Sequence, residues 1–272
     1  MATPTNFADR TTPVIGGKRT RRMTTIMDLL AERGTMTLAE ISAQLGTSAS
    51  TIRRDLAVLA DQRLLMRTHG GAQLLDSRRE LPISLRNTRS QEAKHAIAQA
   101  TLAYIPRSRF AIGMSGGTTT ASLALALARN GYDKLRIVTN SLTIAQIVVN
   151  YPRLKLSMSG GNLRPESLEL VGMLAENTFN SINLGLAVLG ADGVTATGVT
   201  THDETEARTN RAMVSHAAKV IVVVDGSKVG RLTLAQVIPI EKVNVLVTDS
   251  TADTDILDRI REAGVEIVQV EV

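Results

Sequence analysis

Seven short apolar runs between residues 109 and 270 constrain the fold of this chain more than any other feature. Each run is rich in Val, Ile and Leu, and helical segments such as residues 119–129 and 142–150 separate them. Apolar runs that lack polar alternation are typical of strands covered on both faces. The pattern therefore predicts an α/β fold with a mostly parallel sheet. The predicted strands are residues 109–113, 136–139, 155–158, 186–189, 220–224, 244–248 and 265–270.

Small and polar residues directly follow five of these predicted strands. The segments are MSGGTTT (114–120), NS (140–141), SGG (159–161), GADG (190–193) and DGSK (225–228). Because parallel strands open their carboxyl ends on one edge of the sheet, where ligands bind, we expect these segments to share one crevice. Glycines allow backbone N–H groups to approach a ligand closely, and a helix beginning near Thr119 offers its positive end to an anion.

We expect this crevice to bind a phosphorylated ligand. Hydroxyl groups and Lys228 would bind the phosphate, while Asp192 and Asp225 would accept hydrogen bonds from sugar hydroxyls. Neither a Walker A lysine nor G-x-G-x-x-G spacing is present, which disfavours nucleotide binding. For Glu204 and Glu206, the solvated face of a helix is an almost equal alternative. The candidate ligand-site residues are Ser115, Gly116, Gly117, Thr118, Thr119, Asn140, Ser141, Gly160, Gly161, Asp192, Glu204, Asp225 and Lys228.

The first 75 residues show a different pattern, with three short helices. A stripe through Ile26 and Leu30 predicts the first helix, and Gly34 ends it. The stretch TLAE (37–40) is a capping box that begins the second helix, which Gly46 ends. Ser48 then caps a third helix, whose residues Ile52, Leu56 and Leu59 form one buried stripe. Two short helices joined by a tight turn predict a helix-turn-helix.

The exposed side of the third helix carries donors suited to DNA. Arginine side chains reach guanine edges and phosphates, and hydroxyls reach phosphates. The stretch RLLMRTHGGAQLL (63–75) alternates around a Gly-Gly turn and predicts a β-wing beside the DNA backbone. An exposed wing residue with no specific role is an equal alternative for His69. The candidate DNA-binding residues are Ser48, Ser50, Thr51, Arg53, Arg54, Arg67 and His69.

The distribution of charge agrees with a division of the chain into an N-terminal helix-turn-helix and a larger α/β part. Residues 1–90 hold 14 Lys and Arg against 8 Asp and Glu, whereas residues 91–272 hold 17 against 18. The whole basic excess therefore lies in the first third of the chain, which favours contact of that part with a polyanion.

The motifs together resemble the DeoR family of bacterial transcription regulators. The stretch TIRRDL (51–56) and the wing RTHGGA (67–72) match that family's recognition helix and wing. Farther along, GGTT, TNS, GGNLR, VG, GADG and DGSK occur in the family's order, so the resemblance covers about residues 19–250. Arg63 departs from the pattern, since the family usually has glycine there. If φ is positive at that point, a residue other than glycine adds roughly 1 kcal/mol of strain.

The resemblance implies a function. It predicts a repressor of a carbohydrate catabolic operon that binds double-stranded operator DNA and responds to a phosphorylated sugar, though activation stays open. It also implies that the large domain is similar to the sugar-phosphate isomerase and CoA-transferase-like fold. The predicted organisation is a disordered tail (1–17), a winged helix-turn-helix domain (18–75), a linker (76–93) and an effector and oligomerisation domain (94–272). We expect a homo-oligomer, either a dimer or a tetramer.

Two alternatives to a ligand-responsive regulator remain. One is a sugar-phosphate isomerase or deaminase with an appended DNA-binding module, in which Asp192, Glu204 or Glu206, and Lys228 move a proton. The recognition helix and the lack of a clear catalytic base argue against it. The other is a DNA-binding protein whose large domain only dimerises.

The composition also limits the kinds of site and the location that we expect for the protein. We expect no catalytic residue, cofactor or metal site, and the absence of cysteine excludes thiolate zinc ligands. No run approaches the roughly 20 apolar residues that span a bilayer, so we expect no membrane contact and a cytoplasmic location.

Overall fold

The computed structural model describes residues 17–75 and 80–272, which divide into two compact units, Met1–Arg89 and Ser90–Val272. Residues 1–16, which hold nearly all of the predicted tail, lie outside the described residues, as do residues 76–79 of the predicted linker. None of the described helices is long and apolar enough to cross a bilayer.

The first unit is a winged helix-turn-helix. Three helices pack around a core that includes Ile26, Leu30, Ile41, Ile52 and Leu59, and each of these side chains is fully buried. The elements are α1 (Lys18–Arg33), β1 (Thr35–Thr37), α2 (Leu38–Leu45), α3 (Ala49–Asp61), β2 (Leu65–Thr68), β3 (Gly71–Leu74) and α4 (Ile83–Arg86).

Local signals in the sequence begin and end these helices as predicted. The Thr37 hydroxyl accepts a hydrogen bond from Glu40 N at 3.2 Å, and Glu40 Oε2 accepts one from Thr37 N at 2.7 Å, which confirms the capping box. The hydrogen bonds that Thr37 N and Thr37 Oγ1 donate to the Glu40 carboxylate lower the pKa of that carboxyl. Gly46 ends α2 in the left-handed conformation, and Ser48 caps α3.

The wing is a three-stranded antiparallel sheet in the order β1-β3-β2. The sequence predicted the hairpin of β2 and β3 but not β1. A Cβ atom on Gly71 would lie 2.0 Å from the Met36 carbonyl oxygen, so glycine is needed where β1 approaches β3. Arg63, in the turn before β2, has φ of 55°. Its φ is therefore positive, which is the condition under which a residue other than glycine strains the backbone.

Residues 80–89 fall within the predicted linker, and they group with the first compact unit. Leu85 of α4 is buried in the core of that unit, and its carbonyl oxygen accepts a hydrogen bond from Thr24 Oγ1 at 3.2 Å. Arg89 forms an ion pair with Asp28 of α1. A single helical turn contains too few residues to show periodicity, which is why α4 was not predicted.

The second unit is built on a seven-stranded, entirely parallel sheet, which confirms the predicted fold class. Its elements are α5 (Gln91–Thr101), β4 (Phe110–Met114), α6 (Thr118–Arg129), β5 (Leu135–Thr139), α7 (Leu142–Val148), β6 (Lys155–Met158), β7 (Asn162–Arg164), β8 (Glu169–Val171), α8 (Met173–Asn180), β9 (Leu186–Leu189), β10 (Gly193–Thr195), β11 (Gly198–Thr201), α9 (Glu204–Ser215), β12 (Val220–Val223), β13 (Ala235–Pro239), β14 (Val245–Asp249), α10 (Thr254–Glu262) and β15 (Glu266–Val270).

The order of strands in this sheet is β15-β14-β12-β9-β4-β5-β6. The chain moves outward from β4 to β6 and then returns to form β9 on the other side of β4. The sheet is covered on both faces, since Val188 and Leu189 are both buried but belong to different core clusters. This burial explains why the strands read as continuous apolar runs.

Two small antiparallel elements beyond the sheet were not predicted. One is the hairpin of β7 and β8, and the other is a sheet in the order β10-β11-β13. Their strands have only three to five residues. Strands so short give weak alternation in a sequence.

Candidate functional sites

The N-terminus of α3 presents a group of hydroxyls. Ser48 Oγ lies 2.9 Å from Thr51 Oγ1 and 3.1 Å from Ser50 Oγ. Ser48 and Ser50 are exposed, and Thr51 is half-buried. Because the positive end of the helix dipole lies here, these groups are suited to contact a phosphate of the DNA backbone.

Arg53 and Arg54 follow on the exposed side of α3. Among the described residues, no hydrogen bond or ion pair occupies either guanidinium. Arg67 on β2 and His69 in the turn of the wing are also exposed. The predicted DNA-binding residues are therefore mostly on the surface of the first unit, with their donors available to a partner.

Asp55, the next residue after Arg54, has a different environment that our sequence analysis missed. Its side chain is only 1% exposed and accepts hydrogen bonds from Arg19 Nε at 3.0 Å and Arg22 Nε at 2.6 Å. It therefore fixes α3 against α1. The signal was available, because Asp55 lies three residues after Ile52, within the apolar stripe of the helix.

In the second unit, the loops after β4 and β9 meet at the point where the chain reverses its direction across the sheet. Gly190 N donates a hydrogen bond to Ser115 Oγ at 3.0 Å, and Ser115 N donates one to the Val188 carbonyl at 3.1 Å. A Cβ atom on Gly190 would lie 2.9 Å from the Gly116 carbonyl oxygen. In open α/β sheets, ligands bind in the crevice at such a switch point.

The N-terminus of α6 lies in the loop after β4. Gly117 is its N-cap with φ of 119°, a conformation that requires glycine. Within the described part of the chain, no side chain caps this end, and its first turn has no acidic residue. The N–H groups at the start of α6, which begins at Thr118, therefore present partial positive charge that no residue of the helix's own first turn neutralises.

The loop after β5 is tied to β8 in this crevice. Leu170 N donates a hydrogen bond to the Asn140 carbonyl at 2.8 Å, and Asn140 Nδ2 donates one to the Leu170 carbonyl at 3.2 Å. Glu169, which the sequence did not single out, accepts a hydrogen bond from Gly116 N at 2.7 Å. The segments after β4 and β5 are thus brought together by β8.

Two polar atoms of these loops have no partner. Asn140 Oδ1 and Ser159 Oγ are both buried and make no hydrogen bond to any described residue. Buried polar atoms are usually paired, so each marks a position where a ligand or water is expected. Gly161 follows Ser159 closely, and a Cβ atom on it would lie 2.7 Å from the Val171 carbonyl oxygen.

Asp192 and Glu206 share a buried network with Thr201. Thr201 Oγ1 lies 3.0 Å from Asp192 Oδ2 and 2.7 Å from Glu206 Oε1, and Arg164 Nη1 donates to Glu206 Oε2 at 3.2 Å. Burial raises the pKa of Glu206 well above its usual value, and the nearby carboxylates of Glu169 and Asp192 raise it further.

Glu204 does not belong to this network. It is exposed at the start of α9, whereas Glu206 is buried on the face of that helix that includes Thr209 and Asn210. Successive residues of a helix are rotated by about 100°, so two residues two positions apart face different sides. The candidate site therefore includes Glu206 in place of Glu204.

The turn after β12 carries Asp225 and Lys228. The carboxylate of Asp225 is buried and accepts a hydrogen bond from Ser227 Oγ, and Lys228 is half-buried. Gly226 N donates a hydrogen bond to Asp249 Oδ2 at 2.7 Å, which anchors the turn to the end of β14. Gly230 N donates one to the Val194 carbonyl at 2.8 Å, which joins the turn to the segment after β9.

The described residues contain no group of three or more His, Asp or Glu side chains arranged to hold a metal ion. The loops after β4, β5, β6, β9 and β12 offer backbone N–H groups, hydroxyls, an amide, buried carboxylates and the cation of Lys228, and Arg164 of β7 pairs with Glu206.

Solved structures resemble this chain only distantly. Ribose 5-phosphate isomerase A from Methanocaldococcus jannaschii matches 51% of this chain and 54% of its own, with a TM-score of 0.38 and 16% identity. The assignment of the chain therefore depends on its sequence relatives.

Three curated relatives match nearly the whole chain. The putative aga operon transcriptional repressor of Escherichia coli O157:H7 is 32% identical over 90% of this chain and 91% of its own. The regulator GlpR of Haloferax volcanii is 34% identical over 94% of this chain and 98% of its own length. The glycerol-3-phosphate regulon repressor of Escherichia coli K12 is 30% identical over 92% of this chain and 98% of its own length.

Family models match both units. Residues 22–78 match the DeoR-like helix-turn-helix domain, and residues 89–250 match the DeoR C-terminal sensor domain. The chain therefore belongs to the DeoR family of transcriptional regulators, with a helix-turn-helix domain followed by a sensor domain.

Proposed function

We propose that this protein represses an operon for carbohydrate use and that a phosphorylated sugar, bound in the crevice of the sensor domain, releases it from operator DNA. The names of the aga operon repressor and the glycerol-3-phosphate regulon repressor support this choice of target. Because such a regulator acts on chromosomal DNA, we also propose a cytoplasmic location.

The observation that carries the proposal is the crevice at the switch point of the sheet. There the uncapped N-terminus of α6 faces the loop after β9, beside the unpaired Asn140 Oδ1. A phosphate group needs N–H and hydroxyl donors, and we assign that role to the first N–H groups of α6 and to the hydroxyl of Thr119. Sugar hydroxyls need acceptors, and we assign that role to Asn140, Asp192 and Asp225.

The DNA contacts are assigned to the exposed face of the first unit. We propose that Arg53 and Arg54 bind base edges or phosphates in the major groove, and that Ser48, Ser50 and Thr51 bind the backbone. Arg67 and His69 would contact the adjacent backbone from the wing. Because phosphate contacts release counterions, the affinity for the operator should fall steeply as salt rises.

Regulation requires that binding of the effector be linked to binding of operator DNA. The effector can act only if it binds two arrangements of the protein with different affinities. Proteins with a helix-turn-helix commonly read paired half-sites as dimers, so we propose a homo-oligomer of two or four copies. The sensor domain would then set the spacing of the two recognition helices.

The experiment is a footprint of the purified protein on DNA upstream of its own and neighbouring genes, followed by a panel of phosphorylated and unphosphorylated sugars. We expect a protected site at moderate salt that one phosphorylated sugar abolishes. That sugar, at about one hundred times its Kd, should stabilise the protein by roughly 2.7 kcal/mol. The absence of any footprint would contradict the DNA-binding assignment. A footprint that no phosphorylated sugar affects would contradict the effector.

The alternative of an isomerase or deaminase is not retained, because the family and the curated relatives are transcription regulators. The same sugar panel tests this point directly. Conversion of any sugar phosphate at a rate proportional to protein concentration would show that the protein is an enzyme.

A further inference from the structure

A basic cavity lies at the amino edge of strands β4, β5 and β6, the edge opposite the crevice. Its volume is about 540 Å³, and its charged lining residues are Arg109, Asp133, Lys134, Arg136 and Lys155, beside Phe110. Arg109 precedes β4, Lys134 precedes β5 and Lys155 begins β6. Because all three strands are parallel, these residues meet at one edge.

The cations in this basic cavity outnumber the available carboxylates. Its one acidic residue, Asp133, has Arg153 Nη1 at 3.5 Å from its Oδ2 atom. Arg136 donates a hydrogen bond to Ser157 Oγ at 3.0 Å. Arg109, Lys134 and Lys155 are exposed and pair with no acidic side chain among the described residues. Since residues 91–272 carry 17 basic and 18 acidic side chains, general charge does not account for this concentration.

Two of the cations are direct neighbours across the sheet. Arg136 of β5 and Lys155 of β6 are register partners, so their side chains lie on the same face. Like charges directly opposite each other destabilise a strand pair, and a bound anion would offset that repulsion. Lysine on an edge strand such as β6 also discourages pairing with another chain. Arg109 and Lys134 adjoin interior strands, where no such protection is needed.

The cavity also has an apolar wall. A Cβ atom on Gly185 would lie 2.1 Å from the ring of Phe110, so the ring packs directly on the backbone there. Pockets of roughly 300–1,000 Å³ suit small molecules. A concave site with an aromatic wall fits a small ligand better than the backbone of a DNA duplex.

We propose that this basic cavity binds a small phosphate compound with several negative charges, at a site separate from the sensor crevice. Guanidinium groups bind phosphate oxygens through paired N–H donors, and lysines add point charges. This site does not depend on the proposed function, because none of its residues belongs to the crevice or to the DNA-binding surface.

The test is calorimetric titration of the full-length protein with sodium tripolyphosphate at low, matched ionic strength. The wild-type protein should bind, and Lys134→Ala/Lys155→Ala should weaken the affinity by about tenfold or more. A control variant, Lys242→Ala/Arg259→Ala, removes the same charge from exposed residues elsewhere in the second unit. It should bind tripolyphosphate within about twofold of the wild type.

Three results would overturn the proposal. In the first, the wild-type protein does not bind tripolyphosphate, and in the second, the control variant loses affinity as much as Lys134→Ala/Lys155→Ala does. In the third, Lys134→Ala/Lys155→Ala would bind tripolyphosphate normally but lose affinity for DNA without an operator. That outcome would assign the cations to the nucleic-acid backbone. Thermal unfolding of each variant establishes that a loss of binding is not a loss of folding.

Discussion

The recognition helix and the sensor crevice hold their functional groups in opposite ways. On α3, Arg53 and Arg54 are exposed and pair with no other residue that the structure describes, so their charge is available to a partner. In the crevice, Ser115, Asn140 and Asp192 are buried and most of their polar atoms already have protein partners. The first surface presents exposed charged side chains, whereas the second presents buried polar groups that hydrogen bonds hold in place.

The size of the partner explains the difference. A DNA duplex is a large polyanion that stays outside the protein, so long exposed cations can reach it and adjust to it. A small metabolite must be surrounded, so its site needs groups whose positions are fixed before binding. The comparison therefore predicts that the two surfaces can be disabled separately.

The largest expected effect concerns the buried support beneath the exposed arginines. Asp55→Ala should destabilise the first unit by about 2–3 kcal/mol, because Arg22 loses its buried partner while the more exposed Arg19 can be solvated. Urea denaturation measures this change. Asp61→Ala, on an exposed position of the same helix, is the matched control and should stay within about 0.5 kcal/mol of the wild type. Equal effects of both substitutions would contradict the assigned role of Asp55.

A smaller effect is expected from the cation of the crevice. Lys228→Ala should raise the concentration of effector needed for release about tenfold, since one charge-assisted hydrogen bond to phosphate is worth about 1.5–3 kcal/mol. Operator affinity without effector should not change. Fluorescence anisotropy of labelled operator measures both quantities, and Lys242→Ala is the control. An unchanged release curve would move the phosphate site elsewhere in the protein.

Buried Glu206 should make stability depend on pH. Its raised pKa means that the folded protein binds this proton more tightly than the unfolded chain. Its contribution to stability is therefore full below the unfolded value of 4.5 and is lost as pH rises toward the folded pKa. Glu206→Gln cannot lose a proton, so the stability of this variant relative to the wild type should rise with pH in that window.

Thermal unfolding of both proteins from about pH 4 to pH 8 measures this difference. Glu204→Gln, on the exposed side of the same helix, is the matched control. Parallel curves for Glu206→Gln and the wild type would show that burial does not penalise the charge of Glu206. A divergence of the same size in Glu204→Gln would mean that the effect is not specific to the buried network.

The smallest effect concerns the turn into the wing. Arg63→Gly should stabilise the first unit by up to about 1 kcal/mol, because φ of 55° strains a residue with a Cβ atom. Arg33→Gly, in the last turn of α1, should instead destabilise by about 0.5–1 kcal/mol. Chemical denaturation compares the two. If both substitutions destabilise equally, interactions of the Arg63 side chain outweigh the backbone strain.

Much of the architecture was predictable from local pattern. The capping box at Thr37, the cap at Ser48 and all seven strands of the parallel sheet follow from short-range spacing or from apolar runs. Each of these signals lies within a few neighbouring residues, which is why sequence alone was sufficient. The burial of Asp55 was missed, although its position within an apolar stripe could have indicated it.

The features that sequence missed depend on contacts between distant residues. Packing of Leu85 on α1 crosses some sixty residues, as its hydrogen bond with Thr24 shows, and Glu169 reaches Gly116 only because β8 folds back over the crevice. The choice between Glu204 and Glu206 depended on the rotation of α9 against the sheet. Because both residues are polar, the spacing of apolar residues along α9 does not show which of them is buried.

The most direct test of the account is to measure two affinities of Arg53→Ala/Arg54→Ala, one for operator DNA and one for the effector. Each arginine contact to a base is worth about 1–3 kcal/mol, so operator affinity should fall about a hundredfold or more while effector affinity stays within about twofold. Comparable loss of both affinities would contradict the separation of the two surfaces.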